Sequence, residues 1–215
     1  MRINKYLAHY KYCTRREADT HITEGKVRIN GRIAVLGDQV EEGDTVEVLF
    51  EKREYSYFAY NKPRGETTPE RDPETGLFPV GRLDKDSHGL MLLTDDGRIT
   101  DRLLNPDFAH EKEYLIEVQE KMRPDFAQKM SAGVDIGDYI TRPCTVHTLG
   151  EHICSITLTE GKKHQIRRMC EALGYTVVDL TRTRIMNVGL EKLRAGAKRE
   201  IAGTELQNLL TSIGL

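Results

Sequence analysis

Apolar and polar positions recur along this chain with two different periods, and the switches between them outline its elements. Ile3, Tyr6, Leu7 and Tyr10 fall at helical spacing and predict a short N-terminal helix. Thr14 followed by Glu17 has the form of a capping box, so a second helix is expected from Arg15 to about Glu24, closed by Gly25. Ala18 and Ile22 form its inward stripe and leave Arg15, Arg16 and Lys26 facing outward. The period then drops to two. Val27-Arg28-Ile29 and Arg32-Ile33 flank Asn30-Gly31, the signature of a two-residue hairpin. Thr45 to Phe50 predicts a further strand after the turn Glu42-Gly43-Asp44. Residues 51–57 are charged, break both periods and mark a linker.

Beyond it, Phe58-Ala59-Tyr60 predicts a strand entering Asn61-Lys62-Pro63-Arg64-Gly65, where proline and glycine force a loop. The segment 66–79 is polar, carries three prolines and predicts a surface loop. Leu90 to Leu93 is an apolar run of the kind that makes a buried strand, and Asp96-Gly97 turns into a helix carrying Ile99, Leu103 and Leu104. Tyr114 to Val118 alternates as a strand. Ile166, Met169, Cys170 and Leu173 stand at i, i+3, i+4 and i+7, a helical stripe with Arg167 and Arg168 off its centre. Leu190 to Gly196 reads as a turn-rich connection. Thr204 reads as the cap of a last helix that turns Leu206, Leu209 and Leu210 inward.

Composition narrows the class. With 215 residues, 38% of them hydrophobic, the chain can bury one ordinary core and a small second one. No apolar run approaches the roughly 20 residues that span a bilayer, and the N-terminus leads into an amphipathic segment rather than the apolar stretch of a signal peptide. Cys13, Cys144, Cys154 and Cys170 form no CxxC pair, which fits reduced thiols in a cytoplasmic protein and neither a disulfide framework nor a zinc site.

The net charge of −2 argues mildly against a nucleic-acid partner, but its distribution does not. Residues 1–32 hold eight Lys and Arg against three acids, and residues 161–199 hold ten against three. Residues 33–54 hold seven acids and two bases. Two basic regions at opposite ends of the sequence could flank one polyanion while acidic surface elsewhere keeps the total near zero.

The densest chemistry lies between Gly81 and Gly97. Asp84 precedes a core strand, the rigid support that catalytic loops use. Taken alone, Asp84 and Asp86 could be paired acid and base, metal ligands or solvated loop charges. Tyr114 alone could be a core aromatic, and Leu180 could line a pocket or fill the core.

Motifs decide between these readings. Gly81 to Leu90, in the form Gly-Arg-Leu-Asp-x-Asp-Ser-x-Gly-Leu, resembles the signature of the RsuA/RluB/RluF group of pseudouridine synthases. Asn61-Lys62-Pro63-x-Gly65 is similar to the group's first motif, and His110 to Leu115 to its Lys-x-Tyr strand. Gly161 through Gln165-Ile166-Arg167-Arg168-Met169 to Tyr175 resembles its Gln-Ile-Arg-Arg-Met helix. Leu180-x-Arg182-x-Arg184-Ile185 fits its ending, and Met186-Asn187-Val188 resembles the RluF branch. Lys163-His164 departs from the group's more frequent Asn-Arg and is closer to the related RluA group. At the N-terminus, Arg2 through Thr14–Asp19 to Val27–Gly31 resembles the S4 RNA-binding domain.

The resemblance implies an α+β fold: a small S4-like α/β domain over 1–52, then a mixed, mainly antiparallel-sheet synthase domain over 58–215. It implies isomerisation of uridine to pseudouridine in ribosomal RNA, without cofactor, metal or membrane. The RluF-like features point to 23S large-subunit RNA, free or in a partly assembled particle, and monomer is the default state. Asp84 would be the catalytic carboxylate, acting as nucleophile or as base. Arg167 would hold it charged by bidentate pairing in a water-poor pocket, and Tyr114 would lie against a uridine extruded from its stack. Arg82 would fill the space left by that base or hold its phosphate. Lys62 and Arg168 are expected as phosphate contacts in this domain, and Lys5, Arg15, Arg16 and Arg28 in the S4-like one. The alternative is a non-catalytic S4-type protein that binds ribosomal RNA during assembly, which has no need of the trio Asp84, Tyr114 and Arg167. A hydrolase using Asp84 and Asp86 would need a partner pattern for those carboxylates that the sequence lacks.

Overall fold

The capping box is formed in the structure, a computed structural model that describes residues 1–51 and 54–215. Thr14 Oγ1 accepts from the Glu17 N–H at 3.3 Å and the Glu17 carboxylate accepts from the Thr14 N–H at 2.8 Å. The chain divides into two compact units, one of residues 1–56 with 96–100 and 215, the other of 57–95 and 101–214. The linker expected over 51–57 includes residues 52 and 53, which lie outside the described residues, and Tyr57 already belongs to a strand.

In the first unit, α1 (Ile3–His9) and α2 (Arg15–Thr23) lead into β1 (Val27–Ile29), β2 (Arg32–Ile33) and β3 (Val46–Val48), a three-stranded antiparallel sheet in the order β2-β1-β3. Asn30 and Gly31 both have positive φ, 51° and 77°, as a type I′ turn between β1 and β2 requires. Ile3, Leu7, Ala18, Ile22, Val27 and Ile29 fill the core.

The second unit is built on a nine-stranded sheet, counted over the described residues. Its central order is β4 (Tyr57–Lys62), β6 (His88–Thr94), β10 (Val177–Ile185), β7 (Lys112–Val118), β9 (Ile153–Leu158) and β8 (Thr145–Thr148). β12 (Lys198–Glu200) lies outside β4, β5 (Phe78–Val80) pairs with β6, and β11 (Val188–Gly189) pairs with β10. Every pairing is antiparallel except β6 with β10, so the α+β class with a mixed, mainly antiparallel sheet holds. Residues 78–80, expected within a surface loop, are a strand. Pro79 is tolerated there because β5 has β6 as its sole neighbour.

The helices are α3 (Arg98–Leu104), α4 (Phe126–Ser131), α5 (Gln165–Ala172) and α6 (Gly203–Ser212). The last starts at Gly203 with Ala202 as its N-cap, so Thr204 is not the cap. Phe126 and Met130 of α4 and Met169 and Cys170 of α5 cluster with Ile116, Val118, Cys154, Ile156 and Leu180 of the sheet. Side chains alternate faces along a strand, so the face of β7 that carries Ile116 and Val118 also carries Tyr114 and Lys112. The face of β10 that carries Leu180 also carries Arg182. The same sheet surface is core at one end and free to form a pocket floor at the other.

Candidate active site

The loop bearing Asp84 is fastened through its backbone. Thr68 Oγ1 donates to the Leu83 carbonyl at 2.8 Å, and the Gly65 N–H donates to the Lys85 carbonyl at 2.8 Å. Arg167 donates to the Asp86 carbonyl at 3.0 Å, and Lys62 Nζ to the Ser87 carbonyl at 2.8 Å. The Ser87 N–H closes the turn onto the Asp84 carbonyl at 3.1 Å. Four residues from three elements (β4, the loop after it and α5) thus hold the run 83–87, and the Asp84 carboxylate projects from it with 45% of its side chain exposed. The expected Arg167–Asp84 ion pair is not formed among the described residues. Arg167 spends its donors on the Asp86 and Val177 carbonyls, with Ser87 Oγ at 3.5 Å. The Asp84 side chain is open to water and is not a buried acid that needs a paired cation, so Arg167 serves to fix the loop.

Lys62 requires a second correction. It closes β4, is 1% exposed, and donates to the carbonyls of Pro63 and Ser87. Burial holds its pKa below the usual lysine value, against the opposing pull of Glu66, Asp84 and Asp86. An ammonium enclosed in this way braces the two loops and has no open face for a phosphate. Arg168 likewise pairs with the Asp138 carboxylate and the Ile136 carbonyl, which ties α5 to the segment between α4 and β8 in place of the phosphate contact expected.

Opposite the Asp84 loop stands the segment 160–167. Glu160, 3% exposed, accepts from Tyr139 Oη at 2.8 Å, from the Arg142 N–H at 2.9 Å and from Gln165 Nε2 at 2.7 Å, which anchors the start of α5. His164 has a left-handed backbone, φ 53°, and its Nε2 lies 3.9 Å from Asp84 Oδ1. Sequence alone gives this histidine no role beyond its departure from the motif.

Between these walls lies a pocket of about 390 Å³, the size of small-molecule sites. Asp84, Tyr114 and Arg167 all line it, as do Arg82 and Leu180. Its floor is the sheet face of β7, β9 and β10: Lys112 and Tyr114, Leu158, Leu180 and Arg182. Arg182 is the cross-strand partner of Tyr114, and its Cζ lies 6.0 Å from the ring centre. Gly89 makes this floor possible. A Cβ there would fall 2.4 Å from the Arg182 carbonyl oxygen, and φ at Gly89 is +99°. Lys112 and Arg182 stood in the quoted motifs without an assigned role. The two-residue period that puts them on the faces of Tyr114 and Leu180 was the available signal.

In the first unit, Lys5, Arg15, Arg16 and Arg28 are exposed, and none makes an ion pair with a described residue. Burial raises the thiols of Cys13 and Cys170 to about 12 and those of Cys144 and Cys154 to about 11, which leaves all four unreactive near neutral pH. Among the described residues no cluster of three or more His, Cys, Asp or Glu has a metal-binding arrangement, and no helix is long and apolar enough to cross a membrane.

Comparison with known proteins gives the same picture over nearly the whole chain. Residues 56–172 match the family model for RNA pseudouridylate synthase, and residues 1–46 match that for the S4 domain. The chain is 42% identical over 230 residues to the dual-specificity RNA pseudouridine synthase RluF of Escherichia coli strain K12, covering 99% of this chain and 79% of that one. It is 32% identical to the ribosomal large subunit pseudouridine synthase B of Bacillus subtilis strain 168, covering 97% and 95%. A crystal structure of a pseudouridylate synthase superposes with a TM-score of 0.71 at 31% identity, over 97% of this chain and 99% of the other. With its pocket, its Asp84 loop and its N-terminal S4 domain, the chain belongs to the RNA pseudouridylate synthase family.

Proposed function

We propose that this chain isomerises uridine to pseudouridine at a specific position of ribosomal RNA, with Asp84 as its catalytic carboxylate. The observation that carries this reading is the Asp84 loop, fixed at Leu83, Lys85, Asp86 and Ser87 beside a pocket that also presents Tyr114. An aspartate held so firmly and yet left reachable suits attack on, or proton removal from, a bound nucleoside. The pocket takes one base, so the target uridine leaves its stack to enter it and lies against Tyr114. Arg82, exposed at the rim, takes up the adjoining backbone or the vacated space. Residues 1–52 serve as the RNA-gripping module, with Lys5, Arg15, Arg16 and Arg28 on phosphates, and residues 58–215 carry the chemistry. The name of the Bacillus subtilis relative, a ribosomal large subunit synthase, favours large-subunit RNA as the substrate, and the chain acts on it as a cytoplasmic monomer.

The test is pseudouridine mapping of bulk ribosomal RNA from a strain lacking this protein, with purified wild type or Asp84→Asn added back. Loss of one site, restored by the wild type alone, supports the reading and names the nucleotide. No missing site in any ribosomal or transfer RNA would overturn it in favour of a non-catalytic RNA-binding protein. Full activity of Asp84→Asn would remove that residue from the mechanism.

A further inference from the structure

Among the described residues, two cations on the pocket floor have no anionic partner. Lys112 is 7% exposed and Arg182 is 2% exposed, and neither forms an ion pair with a described residue. Arg182 is fixed, with Nε donating to the Leu90 carbonyl at 2.6 Å and a terminal nitrogen to the Gly81 carbonyl. Lys112 is not. Its Nζ makes a single long bond, 3.3 Å, to the His110 carbonyl, so two of its three donors remain to be used. An unpaired ammonium so deeply placed opposes folding. Burial first, and the neighbouring Arg182 second, bring the Lys112 pKa down to about 8. A group that costs stability and faces a cavity is a candidate for ligand chemistry.

The charge it can serve follows from the reaction. When the N1–C1′ bond of uridine breaks, its electron pair stays on the base, spread over N1, O2 and O4. The pair returns to carbon when C5 bonds to C1′; C5 then loses a proton and N1 gains one, with no net redox change. The base is planar, stacks on a ring such as Tyr114 and can reach a floor residue. A hydrated phosphate is better met by the exposed rim cations Arg82, Lys162 and Lys163. We propose that Lys112 donates a hydrogen bond to a carbonyl oxygen of the target uracil and stabilises the negative charge on the base after the glycosidic bond breaks. The inference rests on the reading of the pocket as a uridine site.

Other charges face the same space. His110 and Tyr114 lie on or beside the strand of Lys112, Arg182 comes from β10, and Arg82 and Asp84 come from the loop before β6. Glu160, Lys162, Lys163, His164 and Arg167 come from the opposite wall. The His110 pKa is itself lowered by burial and by Lys112, so only a substitution at position 112 assigns a titration near 8 to the lysine.

The experiment compares full-length wild type, Lys112→Met and Lys112→Arg on ribosomal RNA extracted from a strain lacking this protein. Lys112→Met should fold, bind that RNA within about two-fold of wild type and lose about 100- to 1000-fold in kcat, the usual effect of removing one charge-stabilising donor. Lys112→Arg should recover at least about ten-fold of that loss, because its cation persists. Wild-type kcat/KM, which reports the free enzyme, should fall as pH rises through about 8, and Lys112→Arg should lose that fall. Three results would overturn the inference: a Lys112→Met enzyme as fast as wild type, a defect confined to RNA affinity, or an alkaline limb unchanged in Lys112→Arg. An inert wild type would overturn the uridine reading together with the inference, whereas an active wild type with an active Lys112→Met overturns the inference alone.

Discussion

Two groups of basic side chains, one in each unit, are used in opposite ways. In the first, Lys5, Arg15, Arg16 and Arg28 stand exposed and unpaired among the described residues. In the second, Lys62 and Arg182 are buried, and Lys62, Arg167, Arg168 and Arg182 all donate to backbone carbonyls. The difference is one of supply. Loops that cross at a catalytic site leave carbonyls without ladder partners, and long cationic side chains satisfy them. Small helices and a short hairpin satisfy their own backbone and leave their cations for a ligand. A lysine or arginine in a motif can therefore be a brace or a hand, and only its surroundings tell which.

The contrast breaks most violently at Gly89. Its missing Cβ lets β6 and β10 meet where Arg182 is braced, with backbone atoms at 2.4 and 2.8 Å from the position a methyl would occupy. Gly89→Ala meets backbone rather than a flexible side chain, at a φ that L-residues rarely adopt. It should cost more than about 4 kcal/mol and yield little folded protein, as read by urea unfolding and soluble yield. A native midpoint would mean that the strands can separate without loss.

Arg167 sharpens the comparison from the catalytic side. If it braces the Asp86 and Val177 carbonyls, Arg167→Met should lower kcat by about 100-fold through misplacement of the Asp84 loop. Stability should fall by only about 0.5–1.5 kcal/mol, because the Asp86 carbonyl is exposed and the Val177 carbonyl only partly buried, so water can replace the lost donor. RNA affinity should hold within about two-fold, because the guanidinium is turned inward. A loss in affinity alone would return Arg167 to the phosphate contacts.

What the sequence made legible was local. The Thr14–Glu17 box, the Asn30-Gly31 hairpin, the strand through 90–93 and the stripe of α5 depend on residues within one or two turns of each other, and all formed. The hairpin of β8 and β9 and the helix α4 drew no expectation. β8 buries none of its residues fully, so no apolar period announces it. Lys62 stands just before a Pro-Gly loop signal and was expected as a phosphate contact, yet one carbonyl that it meets belongs to Ser87, 25 residues away. The Asp84–Arg167 pair failed for the same reason. Both residues line the pocket, but which group Arg167 meets is set by how several loops close.

Lys112 gives an intermediate effect whose sign separates function from structure. Its pKa drops from the ordinary lysine value to about 8, so between about 8 and 10.4 the folded chain binds fewer protons than the unfolded one and stability rises with pH. Below about 8 the whole penalty is present, on the order of 3 kcal/mol. Lys112→Met should therefore raise the urea midpoint at pH 7, and the gain should shrink toward pH 10. A structural lysine would behave in the opposite way.

The smallest effect tests the exposed side of the contrast. Counterion release makes log K fall with log salt by about 0.7–0.9 for each phosphate neutralised. Arg15→Ala with Arg16→Ala removes two exposed cations from the first turn of α2. The slope should then decrease by about 1.5, with affinity several-fold weaker at about 0.15 M salt. Arg168→Met removes one cation from the second unit, but that guanidinium is already committed to Asp138 and Ile136. Its slope should match wild type, because a cation neutralised by its own protein displaces no counterion from RNA. If Arg168→Met flattened the slope and the α2 pair did not, the assignment of brace and hand would have to be reversed.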